Sequence, residues 1–353
     1  MGQSMLPRTL IIVAIVCFPA AWPSGGEPGR TKPQPTASAR EALHPLAGAA
    51  GYDLPTRHLV SSAQDEPLLL RWSLSPGDQF QVALTEKTSV LSIYYPLSSR
   101  QETEIMLDLD WRVTDADEQT FQLEQTIRRI RLSLTTPTED GSGRIDLDTQ
   151  RKESLRGTAG ALLQQLNALV GLVVEVKMGS DGSIVGVTLP ESSQEQLRKA
   201  PSATVLREMF SVDGIERLFA QSSLKLPAES VLPGFTWSIE SDLEGWPGKR
   251  LSKQLVLKGR EPAPQQNVAR IDVKSGLIDA EPRSEAAAPN NNSHESRVQH
   301  FQGTGWALID TARGHVLETE STLELTTVGT LRDAQIETRL NKSSRMQFTR
   351  GGN

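Results

Sequence analysis

The sequence holds a single cysteine, Cys17, and it sits inside an N-terminal apolar run. The rest of the chain therefore has no disulfide, no thiol chemistry and no thiolate metal site. Histidine is scarce as well: His44, His58, His294, His300 and His315 are scattered. His294-Glu295 is followed by Ser296, Arg297 and Val298, so the His-Glu-x-x-His pattern of a zinc peptidase is missing. There is no Gly-x-Ser-x-Gly elbow and no phosphate-cradling glycine loop, so nothing points to a cofactor. Net positive charge is also lacking. The 37 Lys and Arg stand against 43 Asp and Glu, which gives -6 and no general attraction for nucleic acid. Beyond the N-terminus, no segment is long and apolar enough to cross a membrane as a helix.

What is present begins with an export signal. Arg8 supplies a positive start, Leu10 to Ala21 an apolar core, and Ser24, Gly25 and Gly26 small residues after it. This is the plan of a signal peptide over 1–26, with a core too short to span a bilayer comfortably. Lipid attachment at Cys17 is not expected, because Ile15 and Val16 precede it where a lipoprotein signal has a small residue. Residues 27–66 scatter Pro28, Pro33, Pro35, Pro45 and Pro55 among Gly, Ala, Ser and Thr, and read as a disordered linker. The expected location is exported, periplasmic or extracellular.

The folded part is expected over 67–350 and is dominated by period-two alternation. Leu68 to Leu74 reads as strand, and Ser75-Pro76-Gly77-Asp78 as a turn. Ile105, Leu107, Leu109, Trp111 and Val113 share one strand face, with Asp108, Asp110 and Arg112 on the other. Phe121, Leu123 and Ile127 continue inward, then the phase slips to Ile130, Leu132 and Leu134. One extra residue near Arg128-Arg129 restores it, which predicts a β-bulge there. Later strands are expected near 251–258, 268–273, 305–309, 316–328 and 336–348, with a disordered polar loop at 280–296. Leu232-Pro233-Gly234 before Phe235 and Trp237 echoes Ser75-Pro76-Gly77 before Phe80, which shared turn chemistry alone can explain.

Residues 155–222 read differently. Leu162, Leu163, Leu166, Leu169 and Val170 recur at helical spacing, and so do Val205, Leu206, Met209, Phe210, Ile215, Leu218 and Phe219. A short hairpin turning at Gly179-Ser180-Asp181-Gly182 lies between them. Ser192 and Ser193 are placed to cap a short helix there. The expected fold class is α+β: a predominantly antiparallel sheet, whether curved sheet, half-barrel or sandwich. The helical block of 155–222 packs on one face, with an insert between β halves at 67–150 and 225–350 as one arrangement.

These residues carry a resemblance. Trp72 with Pro76-Gly77-Asp78-x-Phe80, Ile127-Arg128-Arg129-Ile130, Leu169-Val170-Gly171 and Asp181-Gly182 belong to it. So do Leu226-Pro227 before Pro233-Gly234-x-x-Trp237, and Gly305 with Asp310 and Gly314. The chain resembles an uncharacterised family of exported β-rich proteins typical of planctomycete bacteria. The resemblance implies cell-envelope residence and a β-rich fold, and it carries no catalytic residue.

The expected role is non-catalytic binding or scaffolding in the cell envelope, with an envelope protein as one class of partner. A carrier or sensor of a lipid or other hydrophobic ligand is the first alternative, with Leu162, Leu166, Met209, Phe210 and Phe219 as lining residues. Arg128, Arg129 and Arg131 form the best basic patch for an anionic partner, with Lys249, Arg250 and Lys253 a second. Asp108, Asp110, Asp115, Asp117 and Glu118 are the densest acidic group, but without the glycine and distal glutamate of a calcium loop. An enzyme needs a cleft that sets His300 or His315 beside a perturbed carboxylate.

Overall fold

The structure, a computed structural model, describes residues 66–138, 141–151, 155–199, 224–242, 249–261, 267–279, 297–331 and 334–351. Its first strands are β1 (Gln79–Tyr94), β2 (Leu97–Ala116), β3 (Thr120–Thr138) and β4 (Gly141–Asp148). Helix α1 (Gly157–Asn167), strands β5 (Val173–Gly179) and β6 (Ile184–Thr188) and helix α2 (Glu191–Lys199) follow. The second half is β7 (Thr236–Asp242), β8 (Lys249–Arg260), β9 (Val268–Asp279), β10 (Arg297–Asp310), β11 (His315–Leu331) and β12 (Ala334–Arg350). They form one twelve-stranded sheet in the order β6-β5-β3-β2-β1-β12-β11-β10-β9-β8-β7, with β4 beside β3. Two antiparallel meanders thus meet where the first strand pairs with the last, Phe80 opposite Arg350 through Tyr94 opposite Ile336.

The α+β expectation is overturned. The described residues are 68% strand and 9% helix, with two short helices in place of a helical block packed on a sheet face. The reason lies inside the block. Val174, Val176 and Met178 are buried on β5, which pairs with β3, and Val187 on β6 extends the same surface. The hairpin expected between the helices is therefore part of the main sheet. Helix α1 is left with eleven residues and α2 with nine. Ser193 lies inside α2 rather than at its cap, where its hydroxyl accepts the Val173 N–H at 3.1 Å. Residues 200–223 lie outside the described residues.

Other expectations hold. The register across β2 and β3 jumps from Asp108–Arg129 to Leu109–Ile127, which leaves Arg128 as the extra residue of a bulge. The two Pro-Gly sites form the same device. Asp78 N–H donates to the Ser75 carbonyl and Phe235 N–H to the Leu232 carbonyl, each at 3.0 Å. Gly77 and Gly234 take φ of 92° and 88°, as the third position of a type II turn requires. Each then donates to the strand next door, Gly77 to Val113 at 2.9 Å and Gly234 to Leu257 at 2.7 Å. Both meanders start from the same hydrogen-bonded corner.

Leu68 to Leu74, expected as a strand, makes no ladder beyond a single bridge from Leu68 to Val231. It is an extended strap. Leu68, Leu70, Trp72 and Leu74 are buried and the residues between them exposed, as alternation dictates. Its backbone is held by loops instead. Trp72 N–H donates to Ser180 at 2.8 Å in the β5–β6 turn, and Ser73 N–H to Gly314 at 2.7 Å in the β10–β11 turn. Leu226, just ahead of β7, donates to Asp181 at 2.7 Å. Both edges of the sheet are thereby gathered at one end. The sheet curls so that one face encloses a core, and Trp111 and Trp72 both meet Phe348 edge-on, at 5.3 and 6.0 Å between ring centres. At the far end the long hairpins β1–β2 and β11–β12 extend beyond the short edge strands β6 and β7.

Candidate functional site

The concave face reads as a series of register rows, followed here from the strapped end outward. Nearest the strap, Phe348, Val82, Leu109 and Ile127 lie abreast and form a wholly apolar row. The next runs Leu257, Ile271, Ala307, Thr319, Met346, Leu84, Leu107, Ile130, and is apolar except for Thr319. Leu257 and Ile271 are completely buried. Burying such side chains contributes about 1.5–3 kcal/mol each, so these rows anchor the fold.

Two rows further out the chemistry changes. One runs Trp237, Leu255, Val273, Gly305, Ser321, Ser344, Glu86, Ile105, Leu132, Leu147. The other runs Ile239, Lys253, Ser275, Gly303, Leu323, Lys342, Thr88, Thr103, Leu134, Ile145. Small or polar residues thus gather at the middle of these rows, Gly305, Ser321, Ser344 and Glu86 in one and Ser275, Gly303, Lys342, Thr88 and Thr103 in the other, while Leu255, Val273, Leu323, Ile105 and the β7 and β3–β4 flanks stay apolar. Lys342 donates to Glu86 at 2.9 Å. Lys253 is half-buried between these walls, and desolvation lowers its ammonium from 10.5 to about 8. Beyond the band the face turns apolar again: Phe301, Leu325, Leu340 and Val90 lie abreast, with Leu251 opposite Leu277 on the β8–β9 side. Apart from buried Leu325, these are half-exposed.

The convex face is a lattice of ion pairs. Arg128 meets Asp110 at 3.2 Å, Arg131 meets Asp108 at 3.0 Å, and Arg112 meets Glu124. Arg345 with Glu318 and Arg250 with Glu240 continue it across the sheet. A barrel exterior facing lipid would need an apolar band instead.

The residues singled out from the sequence fall into this frame. Arg128, Arg129 and Arg131 are each engaged by a carboxylate of the same sheet. Arg129 Nε donates to Asp148 Oδ1 at 2.9 Å, and its terminal nitrogen pairs with Asp148 Oδ2. Leu166 is buried in the core and Leu162 packs against it, partly buried; Met209, Phe210 and Phe219 lie outside the described residues. Lys249, Arg250 and Lys253 do not share a face: Arg250 points outward to Glu240, whereas Lys253 points inward. Asp117 is consumed by its turn, its Oδ1 accepting from Gln119 N–H at 2.8 Å and Thr120 N–H at 2.6 Å. Those hydrogen bonds hold its carboxyl below the usual range. No group of three metal-ligating side chains lies together among the described residues. His300 is exposed, with Glu324 4.0 Å away. His315 is 2% exposed with its ring against Phe80, and burial lowers its pKa.

The Asp148 pair gives a pH test. Asp148 is held down to about 2 from its ordinary 3.8, first by the Arg129 hydrogen bonds. The unfolded chain therefore takes up this proton before the folded one does. The stabilisation is complete above about pH 4 and lost as pH falls toward 2. Asp148→Asn is expected to cost about 2 kcal/mol at pH 7 and to flatten the acid limb of the stability profile between pH 4 and 2. Urea denaturation across pH measures both. An unchanged acid limb would remove the pair from the account.

Comparison with known proteins adds little on this site. No protein-family model and no curated protein matches the chain. Among solved structures, one on lipid–protein interactions in lipovitellin superposes over 79% of this chain with a TM-score of 0.43 at 13% identity. The chain spans about a quarter of that protein, 26% of its length. An outer-membrane channel of Pseudomonas putida F1 superposes over 83% of this chain and 100% of its own, with a TM-score of 0.22 at 7% identity. Structural neighbours thus include lipovitellin and outer-membrane channels, and similarity this low assigns no specific function. No helix among the described residues is long and apolar enough to cross a membrane.

Proposed function

We propose that the chain is a non-catalytic binding protein of the cell envelope that holds an aliphatic ligand in the outer part of its concave face. One observation carries this reading. Val90, Leu340, Phe301, Leu277 and Leu251 line that face and are half-exposed, whereas Leu255, Leu257 and Ile271 nearer the strap are buried. Apolar side chains gathered on a concave, water-accessible surface gain free energy when a chain of methylenes covers them, about 0.8 kcal/mol for each CH₂ buried. The charged convex face keeps the opposite side of the sheet in water.

The test is uptake of hexadecanol, an uncharged sixteen-carbon chain, by the purified protein in a fluorescence displacement titration. Saturable binding at one or a few sites supports the reading. No uptake would overturn it and leave the face to scaffolding or association with an envelope protein.

A further inference from the structure

Among the described residues, the two most exposed large apolar side chains stand at one turn. Tyr95 is 81% and Leu97 72% exposed, at the end of the β1–β2 hairpin. Tyr94 pairs with Leu97 across a two-residue turn of Tyr95 and Pro96. Ile336 of β12 lies opposite Tyr94, so its half-exposed side chain joins the same end. The β11–β12 hairpin closes alongside, at a turn outside the described residues. On its other side the hairpin stands clear. β2 leaves β3 after Glu102 pairs with Thr135, so Leu97 to Gln101 are laddered to β1 alone.

Charge is missing at this end, although it studs the convex face elsewhere. From Val90 to Ser99 the sequence has no charged residue, and none from Leu325 to Leu331. Arg100 and Glu337, which border these strand ends, are compensated by Glu102 at 2.8 Å and Arg339 at 2.5 Å. Single exposed apolar residues need no explanation, but a contiguous group at a projecting, uncharged turn marks a contact surface. On the concave side the uncharged surface is continuous. The row Phe301, Leu325, Leu340, Val90 is followed by hydroxyls, Thr327, Thr338, Ser92 and Ser99, and then by Ile336, Tyr94 and Leu97. An aliphatic chain passing from the tip to the outer concave face therefore crosses no charge.

We infer that the β1–β2 turn docks on a lipid bilayer, with Tyr95, Pro96 and Leu97 entering the headgroup region and the open end of the concave face set against the membrane. A fluid surface suits this tip better than a folded partner does. A projecting turn leaves water on a protein only where a matching pocket exists, whereas lipid closes around it. Tyrosine keeps its hydroxyl among the headgroups while its ring leaves water. Pro96 has no N–H to desolvate, and the ladder from Tyr94 to Leu97 occupies the backbone beside it. Neutrality fits an uncharged membrane surface and does not call for anionic lipid. The docking goes beyond the proposed reading of the concave face and stands without it; only the route from tip to face rests on that reading.

The test places a fluorophore that reports loss of water on a single thiol. Cys17→Ser removes the existing one, and Ser98→Cys or Ala312→Cys supplies another. Both sites are exposed, Ser98 beside Leu97 and Ala312 in the β10–β11 turn at the strapped end. Each labelled protein is mixed with phosphatidylcholine vesicles, with and without a lipid-borne quencher. The Ser98→Cys label is expected to shift to the blue and be quenched, and the Ala312→Cys label to do neither. Tyr95→Asp, added to Ser98→Cys, is expected to raise the lipid needed for half the shift at least about tenfold, because its carboxylate must lose water. Tyr95 is exposed, so an unchanged melting temperature certifies the fold. Salt at about 1 M should not weaken the shift, since no charge pair carries it. A silent Ser98→Cys label overturns the docking, as does an equal response from Ala312→Cys or no effect of Tyr95→Asp. Binding to anionic vesicles alone, lost in salt, overturns it too. A shift without lipid that grows with protein concentration overturns it in favour of a second copy of the chain. A response at the tip with no uptake of hexadecanol upholds the docking and overturns only the reading of the concave face.

Discussion

Gly314→Val is expected to cost about 3–5 kcal/mol and to lower the melting temperature by about 10 °C. Gly314 sits in the β10–β11 turn at φ +62°, where a β-branched side chain is strained. A Cβ there would lie 2.5 Å from Ser73 Cβ and 2.8 Å from Ser73 N. The obstacle is backbone of the strap, which cannot turn aside as a flexible side chain would. Valine therefore breaks the Ser73-to-Gly314 hydrogen bond and lifts Leu70, Trp72 and Leu74 from the core. Gly182→Val meets the Leu224 carbonyl, in the segment ahead of β7, at 2.5 Å and the indole Nε1 of the strap's Trp72 at 3.1 Å. Its effect should be similar, and the pair less than additive because both free one segment. Gly186→Val is the control: nothing lies within 4 Å of its Cβ on strand β6, so a change within about 0.5 kcal/mol is expected. Denaturant titration followed by tryptophan emission reads all three. Parent-like stability in Gly314→Val would show that the strap does not close the sheet.

Leu340→Glu is expected to weaken hexadecanol uptake at least about tenfold, or 1.4 kcal/mol. Leu340 stands between Val90 and Leu325 on the concave face. A carboxylate there must lose water whenever an aliphatic chain covers it. Being half-exposed without a ligand, it should cost the fold little. Leu91→Glu places the same chemistry one residue past Val90 on the opposite face, with Arg339 and Arg100 as register partners. That variant should bind as the parent does. Equal loss in both would mean that uptake occurs at no defined face.

Much of this fold was legible in the sequence because its signals are local. The Pro-Gly corners needed only φ > 0 at Gly77 and Gly234. The bulge at Arg128 announced itself as a slip from Ile127 to Ile130. The strap was misread because alternation reports an extended chain with one buried side, not whether its N–H groups find a strand or a set of turns. The block of 155–222 was misread for a related reason: helical spacing in Leu162, Leu163 and Leu166 holds for eleven residues. Whether Val174 and Val176 then pair with β3 is decided by partners fifty residues away.

The polar band left a trace that single patches obscured. Lys253 is in phase with Leu251 and Leu255, Glu86 with Leu84, and Lys342 with Leu340 and Met346. A charge on the apolar phase of a strand marks either strain or a site. Grouping Lys253 with its neighbours Lys249 and Arg250 hid that phase. Conversely, Arg128, Arg129 and Arg131 looked like an unopposed patch because Asp110, Asp148 and Asp108 stand on other strands.

The central claim is that the outer concave face holds an aliphatic ligand. Native mass spectrometry of the purified protein, followed by organic extraction, tests it most directly. The prediction is a population carrying one added mass of a few hundred daltons, about the size of a fatty chain with a small head. Extraction should release it as a lipid, and Leu340→Glu should lack it while keeping its fold. A bare mass in the parent, with no long-chain probe taken up afterwards, would contradict the claim.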